Sequence, residues 1–224
     1  MSETIDWYLL ANVFTFVCAL GAFIYGGVHF LRPKKAMYAQ MITLAIGCVA
    51  FGRMFNVIRL LTEGSLTQTF QLGFLGMVGS LMFFISSNYG TIDSLIDDHS
   101  KKFRKYRMTA LFAPVLALSA YVILFPFAEI PMLWKILGGI LTLFIMAASY
   151  FHLKHLIFPE DKTFAVVRWL RGFNLIAFIY MAALMVECYA MSRENQLMMT
   201  CATAAIGVLV VLMMPMVVRG VKKW

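Results

Sequence analysis

Seven apolar runs, each close to the length of one membrane crossing, occupy most of the 224 residues. A helix needs about 20 predominantly apolar residues to cross the hydrocarbon core. Inside that core every backbone N–H and C=O must be bonded within the protein, which leaves helices and closed barrels as the available forms. Runs of this length select helices. We read the spans at 7–31, 37–61, 70–92, 108–128, 132–156, 167–190 and 197–218. The fold expected is all-α: one domain, residues 1–224, forming a polytopic seven-transmembrane-helix bundle. Charged residues are 13% of the chain, about half the share usual in a soluble domain. No stretch between spans is long enough for a separate soluble catalytic domain.

Charge distribution gives the orientation. Of the 19 Lys and Arg, 15 fall in the connectors after the first, third and fifth spans and in the C-terminal tail. The alternate connectors hold only Lys135 and Arg193, and Arg53 and Arg59 lie inside the second span. Basic connectors stay in the cytoplasm. The N-terminus is therefore expected outside, the C-terminus inside, and the protein in the cell membrane as a multi-pass chain. The net charge of +8 then matches the anionic inner face of a lipid bilayer, not nucleic acid. The start, MSETIDW, has no basic stretch of the kind that opens a cleaved signal peptide. Trp7, Tyr8, Trp134, Trp169 and Trp224 lie at span ends, where interfacial anchors are expected. Cys18, Cys48, Cys188 and Cys201 all lie within spans and make no disulfide framework; Cys188 and Cys201 alone flank one hairpin at similar depth.

A weak internal repeat runs through the chain. VHFLRPKKAMYA around the first inner connector matches KHLIFPEDKTFA around the third, aligning His29 and Pro33 with His155 and Pro159. Gln71-Leu72 and Gln196-Leu197 follow the outer hairpins at nearly the same offset. Helices 1–3 and 5–7 would then be parallel copies joined by helix 4, a 3+1+3 plan of the kind transporters use.

The second span carries the most informative polar residues. Arg53, Asn56, Arg59 and Glu63 fall within about a third of the helix circumference at 3.6 residues per turn. An arginine at bilayer depth costs at least about 2.5–3.5 kcal/mol and needs a partner or a wet cavity. Glu187, in the outer half of the sixth span, is the best partner for Arg53, and Phe173, Tyr180 and Glu187 share one helix face at seven-residue spacing. Two arginines against one buried acid leave positive charge to spare. That excess points to an anionic or zwitterionic small molecule held by a forked hydrogen bond. The expected ligand-binding residues are Arg53, Asn56, Arg59, Gln71, Tyr180 and Glu187, with Asn12 as a further neutral contact, around a cavity open to the outside.

Two other constellations stand out. Gly73, Gly76, Ser80, Ser87, Gly90 and Ser94 form a stripe of small residues on the third span, suited to close helix packing in lipid. Below it, residues 93–107 carry Asp93, Asp97, Asp98 and His99 ahead of KKFRKYR. This segment is expected as a solvated, membrane-hugging loop and is the candidate docking surface for a cytoplasmic protein partner. The second constellation is His29, His152, His155 and Asp93, at comparable depth near the inner interface. Three imidazoles and a carboxylate can ligate zinc and leave one position for water. In residue types this resembles the seven-helix membrane hydrolases of the ceramidase and adiponectin-receptor group, which place metal-binding histidines near the cytoplasmic face. The S-x-x-x-H and H-x-x-x-H motifs of that group are missing.

The seventh span lacks the lysine that a retinal Schiff base requires, and no phosphate-loop, zincin or nucleophile-elbow motif occurs. No cofactor is expected. The layout is similar, in topology alone, to the seven-helix sensory regions of bacterial histidine kinases and diguanylate cyclases. The function expected is a receptor-like sensor with an outward-facing polar pocket, signalling through a separate partner. The alternatives are a small-molecule transporter built as the 3+1+3 repeat and a zinc-dependent membrane hydrolase.

Overall fold

The computed structural model describes residues 6–64, 66, 72–92, 101–158 and 165–223. Every regular element among them is helical. Helix α1 (Trp7–Phe30) begins where the Asp6 carboxylate accepts from the N–H groups of Tyr8 and Leu9, at 2.9 and 3.1 Å. That cap satisfies two donors with no partner in the first turn. Helix α2 (Met37–Glu63) stops at Gly64, whose φ of 72° is open to glycine at no steric cost, and the Gly64 N–H closes onto Leu60. Helix α3 (Leu72–Ile85) widens into a π-helical segment, Ser86–Ile92. A 3₁₀ turn at Lys101–Phe103 leads into α4 (Arg104–Ala110) and α5 (Phe112–Leu124). Helices α6 (Met132–Ile157), α7 (Ala165–Ser192) and α8 (Gln196–Lys223) complete the chain.

Seven helical stretches are long and apolar enough to cross a membrane, with α3 and its π-helical extension as the third and α4 with α5 as the fourth. Their distribution of side chains is the reverse of a soluble protein's. Val17, Ile24, Phe51, Leu75, Leu143 and Val208 are exposed, whereas Asn12, Arg53, Asn56, Asn88, Asn174 and Glu187 are buried. Apolar faces meet lipid and polar groups find partners inside. The chain is a multi-pass membrane protein whose outer surface contacts the bilayer.

Six of the spans form a ring in the order α1, α2, α3, α6, α7, α8, with α8 returning to α1. The fourth span stands outside it, packed on α6. Small residues set the tightest seam. A Cβ added at Gly76 would lie 2.6 Å from the Cys48 carbonyl oxygen, and one at Gly52 would lie 3.0 Å from that of Gly73. The first half of the small-residue stripe therefore does bring α2 and α3 together. Gly90 has open space beside it and serves no such contact, and Ser94 lies outside the described residues.

Several expectations need correction. Residues 101–107 are not a solvated loop: they form the 3₁₀ turn and α4, and buried Phe103 packs on Phe158 with ring centroids 4.9 Å apart. The fourth span accordingly starts at Arg104 and ends at Leu124, four residues earlier at each end than its apolar run. Phe125 still closes its N–H onto the Tyr121 carbonyl, and Pro126 after it has no N–H to continue the ladder, so the helix ends there. The break at Leu111 follows from Pro114, whose ring is incompatible with a helical carbonyl at Ala110. Tyr8 and Trp134 are core residues rather than interfacial anchors, while Trp7 is exposed. Cys188 is buried, Cys201 is exposed, and both are free thiols. His29 is exposed and His155 buried, so the two H-x-x-x-P positions have unlike surroundings.

Candidate functional site

Three groups of polar residues lie along the inside of the ring. Arg53 anchors the first. Its position in α2 is fixed by the Gly52 contact with α3 one residue before it, which leaves the guanidinium pointing into the bundle and only 3% exposed. Both terminal nitrogens donate to Glu187 of α7, Nη1 to Oε1 and Nη2 to Oε2, each at 2.5 Å. This parallel two-bond arrangement is the one that the planar arginine fork provides and lysine does not. Glu187 Oε1 also accepts from the Thr203 hydroxyl of α8 at 2.6 Å. On the other side, Asn12 of α1 accepts from Arg53 at 3.3 Å and from the Asn56 amide at 3.5 Å, and donates to the Tyr8 carbonyl at 3.0 Å. One buried ion pair therefore ties together four helices of the ring: α1, α2, α7 and α8.

Arg59 lies on the same face of α2, 8% exposed, and donates through Nε and Nη2 to Glu63 Oε2. Glu63 itself is more than half exposed. The excess positive charge inferred from the sequence is thus balanced: each buried arginine has its own carboxylate. Between the two arginines, the Asn56 side-chain oxygen is buried without a hydrogen-bond partner among the described residues.

The second group sits deeper. Tyr180 of α7 shares a hydrogen bond of 2.8 Å with Ser80 of α3. Arg53 and Tyr180 face a common void of about 10 Å³, together with Gly73 and Gly76. That volume is near the minimum for one water.

The third group is built on the π-helical turn. Ser86 and Ser87 hydroxyls donate back to the Met82 and Phe84 carbonyls, both at 2.9 Å, where the ladder widens. The wider turn directs Asn88 at α6. The Asn88 side-chain oxygen accepts from His155 Nδ1 at 2.6 Å, and its amide nitrogen donates to His152 Nε2 at 3.2 Å. His152 Nδ1 donates to Asn174 of α7 at 2.8 Å. These directions make His152 a neutral Nδ1–H tautomer with its Nε2 lone pair already engaged, and put a proton on His155 Nδ1. Phe84 separates the second group from the third, its ring 5.5 Å from Tyr180 and 5.8 Å from His152.

Of the six expected ligand residues, Arg53, Asn56, Arg59, Tyr180 and Glu187 line the interior of one half of the bundle. Gln71 lies outside the described residues. A cavity of about 540 Å³ does open at the ends of α1 and α8, but Asp6, Trp7, Tyr8, Gln196, Leu197 and Thr200 line it, and none of the six does.

The histidines of the alternative zinc set are not gathered at one place. His29 is exposed, stacks on Tyr25 at 4.2 Å and is bonded to its carbonyl at 2.8 Å, whereas His152 and His155 are buried in the third group. Among the described residues no three His, Cys, Asp or Glu converge on a metal position, and Asp93 lies outside them. Sequence reasoning missed Asn88, Asn174 and Thr203 altogether and took Ser80 for a spacer. Asn174 had a weak signal, as a polar residue inside an apolar span one position after Phe173. Comparison with protein-family models, with curated proteins and with solved structures finds no match for the chain.

Proposed function

We propose that the protein is a receptor-like sensor of a small anionic or zwitterionic molecule, which it takes from the side of the membrane where Glu63 lies. Magnitudes decide which arginine receives the ligand. Breaking the buried Arg53–Glu187 pair by removing one partner costs about 3–5 kcal/mol, so that pair holds the resting arrangement. The Arg59–Glu63 pair joins residues four apart with one partner in solvent, and such pairs contribute about 0.3–0.5 kcal/mol. A ligand carboxylate can displace Glu63 at little cost.

The observation that carries this reading is the sequence of groups below Arg59. The Asn56 side-chain oxygen has no hydrogen-bond partner among the described residues and lies against Gly73 of α3, so a donor on the ligand would reach it by parting α2 from α3. Asn56 then contacts Asn12, which contacts Arg53, and Arg53 holds Glu187. A ligand on Arg59 and Asn56 is therefore two contacts away from the ion pair that joins α2 to α7. The output would pass at the basic side, through residues 93–107, to a separate protein.

A thermal-shift screen of small carboxylates, amino acids and phosphates tests this. A ligand at a hundred times its dissociation constant stabilises the protein by about 2.7 kcal/mol. We expect a hit in the natural protein that Arg59→Gln abolishes while leaving the unliganded melting point nearly unchanged. A hit that survives Arg59→Gln would end the assignment.

The ring order favours a second reading. A half-turn that maps α1, α2 and α3 onto α6, α7 and α8 preserves every neighbour in the ring and leaves the fourth span outside. That is the arrangement a 3+1+3 transporter has. Uptake of the same hit into proteoliposomes would move the conclusion from sensor to transporter.

A further inference from the structure

We infer that the seam between α1 and α8 is a binding site for one anionic phospholipid in the leaflet on the basic side of the membrane. In the other leaflet the two helices are in contact. The Thr15 hydroxyl donates to the Thr203 carbonyl at 2.7 Å, and a Cβ on Gly207 would lie 3.1 Å from the Thr15 Cα. Towards the basic side a groove of about 690 Å³ opens on the lipid-facing side of this seam, its walls including Gly21, Ala22, Tyr25, Val211, Pro215 and Arg219.

Sequence explains the groove. Gly21 has nothing within 4 Å of where a Cβ would sit, and Ala22 beside it is small. On the facing helix, Pro215 has no N–H to offer the Val211 carbonyl and its ring crowds that turn. Eight residues separate Val17 from Tyr25 and Val211 from Arg219, which at the helical rise gives a length of about 12 Å. Half of a bilayer's hydrocarbon core is about 15 Å. The groove matches one acyl chain in one leaflet.

Charge selects the head group. Arg219 lies at the end of the groove that faces the membrane surface, is exposed, and makes no ion pair among the described residues. Arg32, Lys34 and Lys35 follow α1 on the same side. A guanidinium binds a phosphodiester through two parallel N–H groups. An anionic head group adds a net charge that phosphatidylcholine lacks. The lining is otherwise apolar apart from Cys18 and Tyr25, so no soluble anion would gain from the rest of the groove.

Native mass spectrometry in mild detergent, with phosphatidylglycerol and phosphatidylcholine of identical chains, tests the site. A basic residue at the membrane surface favours an anionic lipid by about fivefold. We expect that preference in the natural protein, and its loss in Arg219→Gln, an exposed position where the fold is indifferent to the change. Gly21→Leu points into the open groove and should weaken retention of both lipids. Glycerol phosphate without chains should not compete. Equal retention of the two lipids by the natural protein would overturn the site, as would a preference unchanged in Arg219→Gln. A lipid-free dimer joined through this seam would overturn it as well.

Discussion

At the scale of single residues, the ion pair was the most legible feature of the interior. An arginine beyond mid-membrane needs a counter-charge, and Glu187 was the acid at matching depth, so the pairing of Arg53 with Glu187 could be read directly. Arg59 was harder. Glu63 shares its face four residues on, where side chains meet; setting two arginines against one buried acid left the pairing of Glu63 with Arg59 out of account. Asn88 was not legible at all, because its direction depends on a π-helical turn that helical periodicity does not encode. We expect Arg53→Gln and Glu187→Gln each to destabilise the protein by about 3–5 kcal/mol, since each leaves a buried charge without its partner. The double variant should lose less than the sum. Unfolding in a mixed detergent, followed by circular dichroism, measures this; strictly additive losses would mean that the two side chains do not act as a pair.

At the scale of elements, six of the seven spans lay within a few residues of their sequence positions, because apolar run length fixes a crossing. The fourth was displaced for two local reasons. Pro126 ends it early, and at the start Phe103 and Tyr106 pack on Phe158, which accompanies a helical course for the basic stretch Arg104–Arg107. An apolar tally cannot see either effect. The α2–α3 seam shows what small residues do in lipid. A valine at Gly76 would force its Cβ to within 2.6 Å of the Cys48 carbonyl oxygen, so the helices must part. Gly76→Val should cost at least about 1–3 kcal/mol, the usual range for an overpacked contact, while Gly90→Ala should be close to neutral. Melting temperatures of the two variants, measured side by side, check both. A tolerant Gly76 would mean that the seam is looser than its distances state.

At the scale of the whole molecule, helix count and lipid-facing surfaces followed from the sequence, whereas the ring did not. Which spans neighbour one another depends on contacts between residues far apart in the chain, such as Thr15 with Thr203 and Ser80 with Tyr180. Thr15, Thr203 and Ser80 each read alone as an ordinary small polar side chain, and Tyr180 does not announce its partner. Orientation remains a prediction from charge asymmetry. In a background with the four native cysteines replaced by alanine, a membrane-impermeant maleimide applied from outside should label Ser65→Cys and spare Ser100→Cys. Labelling in the opposite order would invert the bundle and place the Arg59 ligand on the cytoplasmic side.

The long reach of the central ion pair has a consequence for how the protein is made. Glu187 is 134 residues beyond Arg53. Chains grow at about 5–20 residues per second, so α2 enters the bilayer on the order of ten seconds before its counter-charge exists. During that interval Arg53 carries its full cost of about 2.5–3.5 kcal/mol at bilayer depth, and of its two hydrogen-bond partners among the described residues only Asn12 is already synthesised. The ring closes only when the last helix meets the first. Until then the nascent protein has an open flank and a cation without its carboxylate.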